Sequence, residues 1–262
     1  MRLNMLSHRK LRVFDTVHDV YAFVFREFGT IVRLSWFPLL LSGLAAFYAT
    51  KTATVIATEF FAVITWAIVA PSWHRLILSG DRQPGTFLNL RFGKVEALFA
   101  LPLVLLFLTI LTLELLGVPL KWHVTGGAAM VVWGIMAVMI FFSARFCLAF
   151  PIAVLERRVD FAQAWALSHG NVWRMIAVWI VVTTPAYALI AAVQWLLLTV
   201  LKVTPWTMTA KQFEGSLLEF FAITWPTSIL IGALCVGILS YTYKALAGFA
   251  PDATLTPISA NR

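Results

Sequence analysis

The chain has 262 residues, of which 61% are hydrophobic and only 12% charged, with a mean hydropathy of +0.87. A soluble domain carries charge on about a quarter of its residues, so this composition excludes an ordinary water-soluble fold and makes lipid the expected solvent. The net charge of +8 does not point to nucleic acid, because the cations flank apolar spans, where anionic lipid headgroups are the natural partner.

Residues 1–27 form a cytoplasmic amphipathic N-terminal segment, too polar and too long before the first apolar run for a cleaved signal peptide. Phe14, Val17, Tyr21, Val24 and Phe28 recur at spacings of three and four, which puts one apolar stripe on a helix whose other face carries Asp15, His18, Asp19 and Arg26. That pattern predicts a helix lying in the membrane interface. Six spans follow, at Thr30–Thr50, Val55–Leu78, Val95–Leu120, Val124–Phe150, Val172–Leu201 and Leu217–Leu246. Residues 28–247 are therefore a six-helix transmembrane domain and 248–262 a disordered cytoplasmic tail.

An even number of spans puts both ends of the chain on one side. Only Lys51, Lys121, Lys202 and Lys211 fall on the far side, leaving sixteen of the twenty Lys and Arg residues with the termini, which predicts a cytoplasmic location for that side. The chain also repeats itself. Phe28–Leu41 and Phe92–Leu105 match without gaps at Phe28/Phe92, Gly29/Gly93, Leu34/Leu98, Pro38/Pro102, Leu39/Leu103 and Leu41/Leu105. A weaker third copy surrounds Gly170, with Asp160 ahead of it and Arg174 behind, as Asp19 and Arg33 flank Gly29. The expected fold class is an all-α integral membrane protein: three helical hairpins, each preceded by a short amphipathic cytoplasmic-face helix and a glycine hinge.

Ser143–Met175 links two of these units and is the most informative stretch. The charge-free run Val124–Ala144 ends at Arg145, six residues before Pro151, and Glu156, Arg157 and Arg158 make a solvated turn. Asp160 and Gln163 have the spacing of a helix N-cap and its reciprocal partner. Gly170 is placed to end that surface helix in the left-handed conformation, and Asn171 to cap the next.

Two readings of the inner-leaflet cations Arg33, His74, Arg75, Arg145, Arg174 and Lys244 stay open. They could converge on a phosphate, which guanidinium grips bidentately, or each could snorkel to the headgroups as an independent anchor. Arg33, Arg75, Arg145, Arg174 and Lys244 are the candidate anionic-lipid-binding set, with Arg145 foremost because Ala144 and Phe146 beside it are apolar. Near the bilayer midplane Thr65, Thr109, Thr183, Thr184 and Ser228 offer hydroxyls and no ionisable group, while Glu59, Glu114 and Glu219 lie toward the outer ends of their helices. An uncharged path past Thr184, Pro185 and Gln194 keeps a small-solute or lipid transporter as the alternative. There is no HExxH pair and no GxSxG elbow, Ser7 and Lys10 match SxxK only within a polar tail, and Cys147 and Cys235 have no metal or redox spacing. Neither catalysis, a metal nor a cofactor is expected. Trp36, Trp66, Trp73, Trp122, Trp173 and Trp206 fall near span ends, as an aromatic belt does.

Arg145, Pro151, Glu156, Ala164-Trp165 and Gly170-Asn171-Val172-Trp173-Arg174 together resemble a segment of bacterial inner-membrane proteins of the YciC-like kind. The same layout is similar to the membrane domain of some glycerophosphodiester phosphodiesterases, whose catalytic domain has no counterpart in the roughly fifteen residues after the last span. The resemblance implies a six-helix bacterial membrane module and transfers no catalytic residue. The resulting expectation is a non-enzymatic inner-membrane protein that interacts with lipid or acts as a scaffold in envelope homeostasis. Its expected partners are anionic headgroups, with self-association and other membrane proteins left open, and nucleic acid excluded.

Overall fold

The computed structural model describes residues 9–51, 55–81, 92–117, 127–201 and 217–248. Among them every regular element is an α-helix: α1 Val13–Lys51, α2 Val55–Ser79, α3 Lys94–Gly117, α4 Gly127–Phe146, α5 Ala149–Glu156, α6 Phe161–Ser168, α7 Val172–Leu201 and α8 Leu217–Ala247. Among the described residues five segments are long and apolar enough to cross a membrane: Val13–Ala45, Phe60–Ser79, Ala137–Glu156, Val172–Val193 and Pro226–Ala247. These are the dimensions and composition of a membrane protein. The third expected span corresponds to α3, which is not one of the five. The expected tail, and Ser7, His8, Trp122, His123 and Trp206, lie outside the described residues.

The N-terminal expectation needs one correction. Gly29 is no hinge: α1 runs unbroken through it, and the positive-φ glycines are Gly80, Gly170 and Gly248. The surface helix and the first span are therefore one 39-residue helix. The predicted apolar stripe packs in part: Val24 is buried and Val17 and Tyr21 are half-buried against the core, opposite the exposed Asp15, His18, Asp19 and Arg26, whereas Phe14 and Phe28 are exposed. Val20, Phe23, Ile31 and Leu34, with Thr16 and Glu27, widen the packed face. In lipid an outward aromatic ring needs no cover, so periodicity alone does not mark which apolar residues of the stripe face the protein.

α1 packs on α2, α7 and α8, and α8 also packs on α2 and α7, so these four helices form the centre. Val20, Leu34, Val69, Trp73, Val178, Leu234 and Ile238 fill it. Close approach of α2 and α8 depends on Gly232, where a Cβ would meet the Trp66 and Trp73 rings. Those two indoles pack edge to face, 5.8 Å apart, so they serve the core and not the aromatic belt assigned to them above. Among the described residues the flanking helices depart from the hairpin plan: α3 packs on α2 and α5, and α4 on α6 and α7, with no extended interface between α3 and α4.

The linking stretch folds much as its sequence indicates. Pro151 has no N–H to donate to the Cys147 carbonyl, which instead accepts from Phe150 N at 3.2 Å, and the helix breaks there into α4 and α5. Asp160 Oδ1 accepts from Gln163 N at 2.8 Å and caps α6. Gly170, at φ +74°, makes the left-handed turn into α7.

Candidate functional site

One end of the bundle gathers the polar groups. Leu11 N, just ahead of α1, donates to Asn171 Oδ1 at 2.9 Å, just ahead of α7, and the Arg9 guanidinium borders Gly248 at the end of α8. Arg75 near the end of α2 meets Glu96 at the start of α3. The expected cations are held there by separate partners.

Arg75 Nη2 lies 2.7 Å from Glu96 Oε1, and the Glu96 side chain is 4% exposed. Its second oxygen accepts from Gly93 N at 2.9 Å, so one carboxylate both neutralises Arg75 and ties down the first turn of α3. Next to it His74 is fully buried, its Nδ1 2.7 Å from Ser240 Oγ and its ring against Phe99. Arg174 Nη1 donates to the Leu11 carbonyl at 3.1 Å. Lys244 Nζ sits 5.4 Å from the centre of the Tyr241 ring, and Arg33 is exposed. No common pocket is formed by these contacts.

Asn171 does not cap α7 with its side chain as expected. Its amide pairs with the N-terminal backbone instead, accepting from Leu11 N and donating Nδ2 to the Arg9 carbonyl at 3.0 Å. Gln163, expected to reciprocate the Asp160 cap, donates to Glu156 Oε1 at 2.6 Å and accepts from Arg158 at 3.3 Å. Arg158 also meets Glu156 and Asp160. The hydrogen bond and charge of Glu156 raise the Arg158 guanidinium further above its ordinary value, keeping it charged across all working pH.

Arg145 is different. The residue is 9% exposed, with its guanidinium carbon 3.8 Å from the centre of the Trp165 ring and 5.2 Å from that of Phe141. Trp165 is steadied by Phe142 and Phe146, and Phe146 by Phe161, so α4 and α6 build an aromatic bed under the cation. No carboxylate or carbonyl among the described residues accepts from it, and Nε is buried without a partner. An aromatic face is worth about 2 kcal/mol to a desolvated cation. Withdrawing a charge from water costs several kcal/mol, so the aromatic bed alone leaves the burial uncompensated.

The hydroxyls proposed to line a path are otherwise engaged or placed. Thr183 Oγ1 bonds the Trp179 carbonyl of its own helix at 2.7 Å, and Thr184 is on the exposed surface. Near Pro185, Tyr21 Oη donates to the Val182 carbonyl at 2.7 Å and ties α1 to α7. Thr65 is buried and Ser228 half-buried; the side chains of Thr109, Gln194, Glu59, Glu114 and Glu219 lie outside the described residues. No cluster of three or more His, Cys, Asp or Glu suited to a metal exists among the described residues.

Two pairings escaped the sequence reading. Glu96 as counter-ion to Arg75 had a local signal, a Gly-x-x-Glu start to a helix, but its partner is 21 residues away. The Asn171 clamp had none, because its partners are some 160 residues distant. No family model matches the chain, and no curated protein or solved structure matches it.

Proposed function

We propose that this protein is a non-enzymatic, multi-pass protein of the bacterial inner membrane that binds anionic phospholipid through Arg145 and serves as a lipid-engaging scaffold in the envelope. In this proposal six spans cross the membrane with both termini cytoplasmic, following the YciC-like resemblance and the bias of Lys and Arg toward the terminal side. The observation that carries the reading is Arg145, a residue nine-tenths buried, with its guanidinium held on Trp165 and its Nε buried with no acceptor among the described residues. A lipid phosphate offers the bidentate, charge-assisted acceptor such a group lacks. Arg33, Arg174 and Lys244 add positive charge on the terminal side, whereas Glu96 neutralises Arg75. Their individual partners support a distributed basic face more than a five-cation pocket. Transport has less support, since Thr183 spends its hydroxyl within its own helix.

The test is native mass spectrometry of the detergent-purified full chain with phosphatidylglycerol and, separately, phosphatidylcholine. Wild type should retain phosphatidylglycerol preferentially, and Arg145→Ala should weaken retention by about tenfold or more, the effect of losing one charge-assisted contact of 1.5–3 kcal/mol. Equal retention by wild type and Arg145→Ala would end the proposal.

A further inference from the structure

Resting on the headgroup reading above, we infer that the exposed stripe Ile135, Val138 and Phe142 on α4 is the seat of an acyl chain of the same anionic phospholipid whose phosphate meets Arg145. The three side chains are 48%, 54% and 44% exposed and are spaced by three and four, so they form one continuous apolar face. At its lower end that face runs onto the aromatic bed: Phe142 stacks on Phe146 and lies 6.0 Å from Trp165, the ring that carries Arg145. Headgroup contact and apolar face are thus one surface.

Its length fits the occupant. From Ile135 to Arg145 is ten residues, about 15 Å of helix at ~1.5 Å each, and half of a ~30 Å hydrocarbon core is the depth reached by the chains of one leaflet. The stripe is also accessible: among the described residues α4 packs on α6 and α7 and α3 on α2 and α5, and Ile135, Val138 and Phe142 keep about half of their surface exposed. A diacyl anionic lipid entering from the bilayer lays one chain along α4 and brings its phosphate to the guanidinium, so that burying the chain and pairing the charge act together.

The experiment uses the full chain in detergent, with dioleoylphosphatidylglycerol and dihexanoylphosphatidylglycerol as probes that share a headgroup and differ in chain length. Native mass spectrometry compares wild type, Val138→Trp, Ile135→Trp, Arg145→Ala and, as a control elsewhere on the apolar surface, Ile180→Trp. Wild type and Ile180→Trp should retain the long-chain lipid over the short by at least about tenfold. Val138→Trp and Ile135→Trp should abolish that preference and leave short-chain retention unchanged, whereas Arg145→Ala should lower both. Unfolding temperatures identify any variant that fails to fold, and the two tryptophan positions substitute for each other. Equal retention of long and short lipid by wild type overturns the acyl seat. So does a loss in Arg145→Ala alone, which would leave the headgroup site standing without it. A loss in the tryptophan variants alone would keep an apolar seat, remove its link to Arg145 and so overturn the joint site. A dimer that Val138→Trp dissolves with bound lipid unchanged would give the stripe to a second copy of this chain and overturn the inference.

Discussion

Replacing Gly232 with alanine tests the packing of α2 against α8. A Cβ at Gly232 would lie 2.5 Å from Trp66 Cζ3, nearer still to Trp66 Cη2, and 3.1 Å from Trp73 Cζ3. Carbon atoms rest at about 3.5–4.0 Å, so the Trp66 ring must withdraw by about 1 Å or more. Forcing a core apart costs about 1–3 kcal/mol, and disturbing the edge-to-face indole pair adds about 0.5–1.5 kcal/mol. Helix propensity returns about 0.5–1 kcal/mol to alanine over glycine, leaving a net loss of about 1–3 kcal/mol. Unfolding in mixed micelles with rising SDS, followed by far-UV circular dichroism, measures it for wild type, Gly232→Ala, Trp66→Leu and the double variant. In the Trp66→Leu background the same alanine should be neutral or stabilising, giving a coupling of at least about 1 kcal/mol. An equal loss in both backgrounds, or none in wild type, would refute the close-approach argument.

Asn171→Ala should free the N-terminal segment, and trypsin should cut after Arg9 or Arg12 several-fold faster; the loss of two bonds to buried backbone predicts about 1–3 kcal/mol of destabilisation. Glu96→Gln should cost about 2 kcal/mol or more, because it weakens the partner of the half-buried Arg75, and Glu96→Ala should cost more, up to the ~3–5 kcal/mol of a broken buried pair. Tyr21→Phe should lower stability by about 1 kcal/mol through the Val182 carbonyl, with hydrogen exchange rising in α7 near Pro185. Phosphatidylglycerol should raise the thermal stability of wild type by the equivalent of about 2.7 kcal/mol at a hundred times its Kd, and that of Arg145→Ala by about 1.4 kcal/mol or less at the same concentration.

The sequence carried the features that depend on local chemistry. Asp160 capping α6, Gly170 turning the chain, and the long apolar helices are consequences of a few neighbouring residues, and all are present. What it did not carry depends on distance or on the solvent. Gly29 and Gly93 match in the repeat, yet one lies inside α1 and the other just ahead of α3, where Glu96 accepts its N–H; a glycine permits a break without requiring one. The packed stripe of α1 was legible at Val17, Tyr21 and Val24 and not at the exposed Phe14 and Phe28, because lipid removes the contrast that marks a core in water. Arg145 was legible as a deep cation from its apolar flanks, but its aromatic bed was not, because Trp165 reaches it through the turn at Arg157, whose φ of +54° ends α5, and the start of α6. Arg75 and Arg174 looked equivalent to it and prove to have protein partners.

The measurement that bears most directly on the central claim is photocrosslinking in intact membranes, with p-benzoylphenylalanine in place of Phe142, whose ring lies beside the Trp165 bed of Arg145. The account predicts adducts of anionic phospholipid at this position that fall sharply when Arg145→Ala is added. Adducts unchanged by Arg145→Ala, or drawn equally from neutral and anionic lipids, would contradict it.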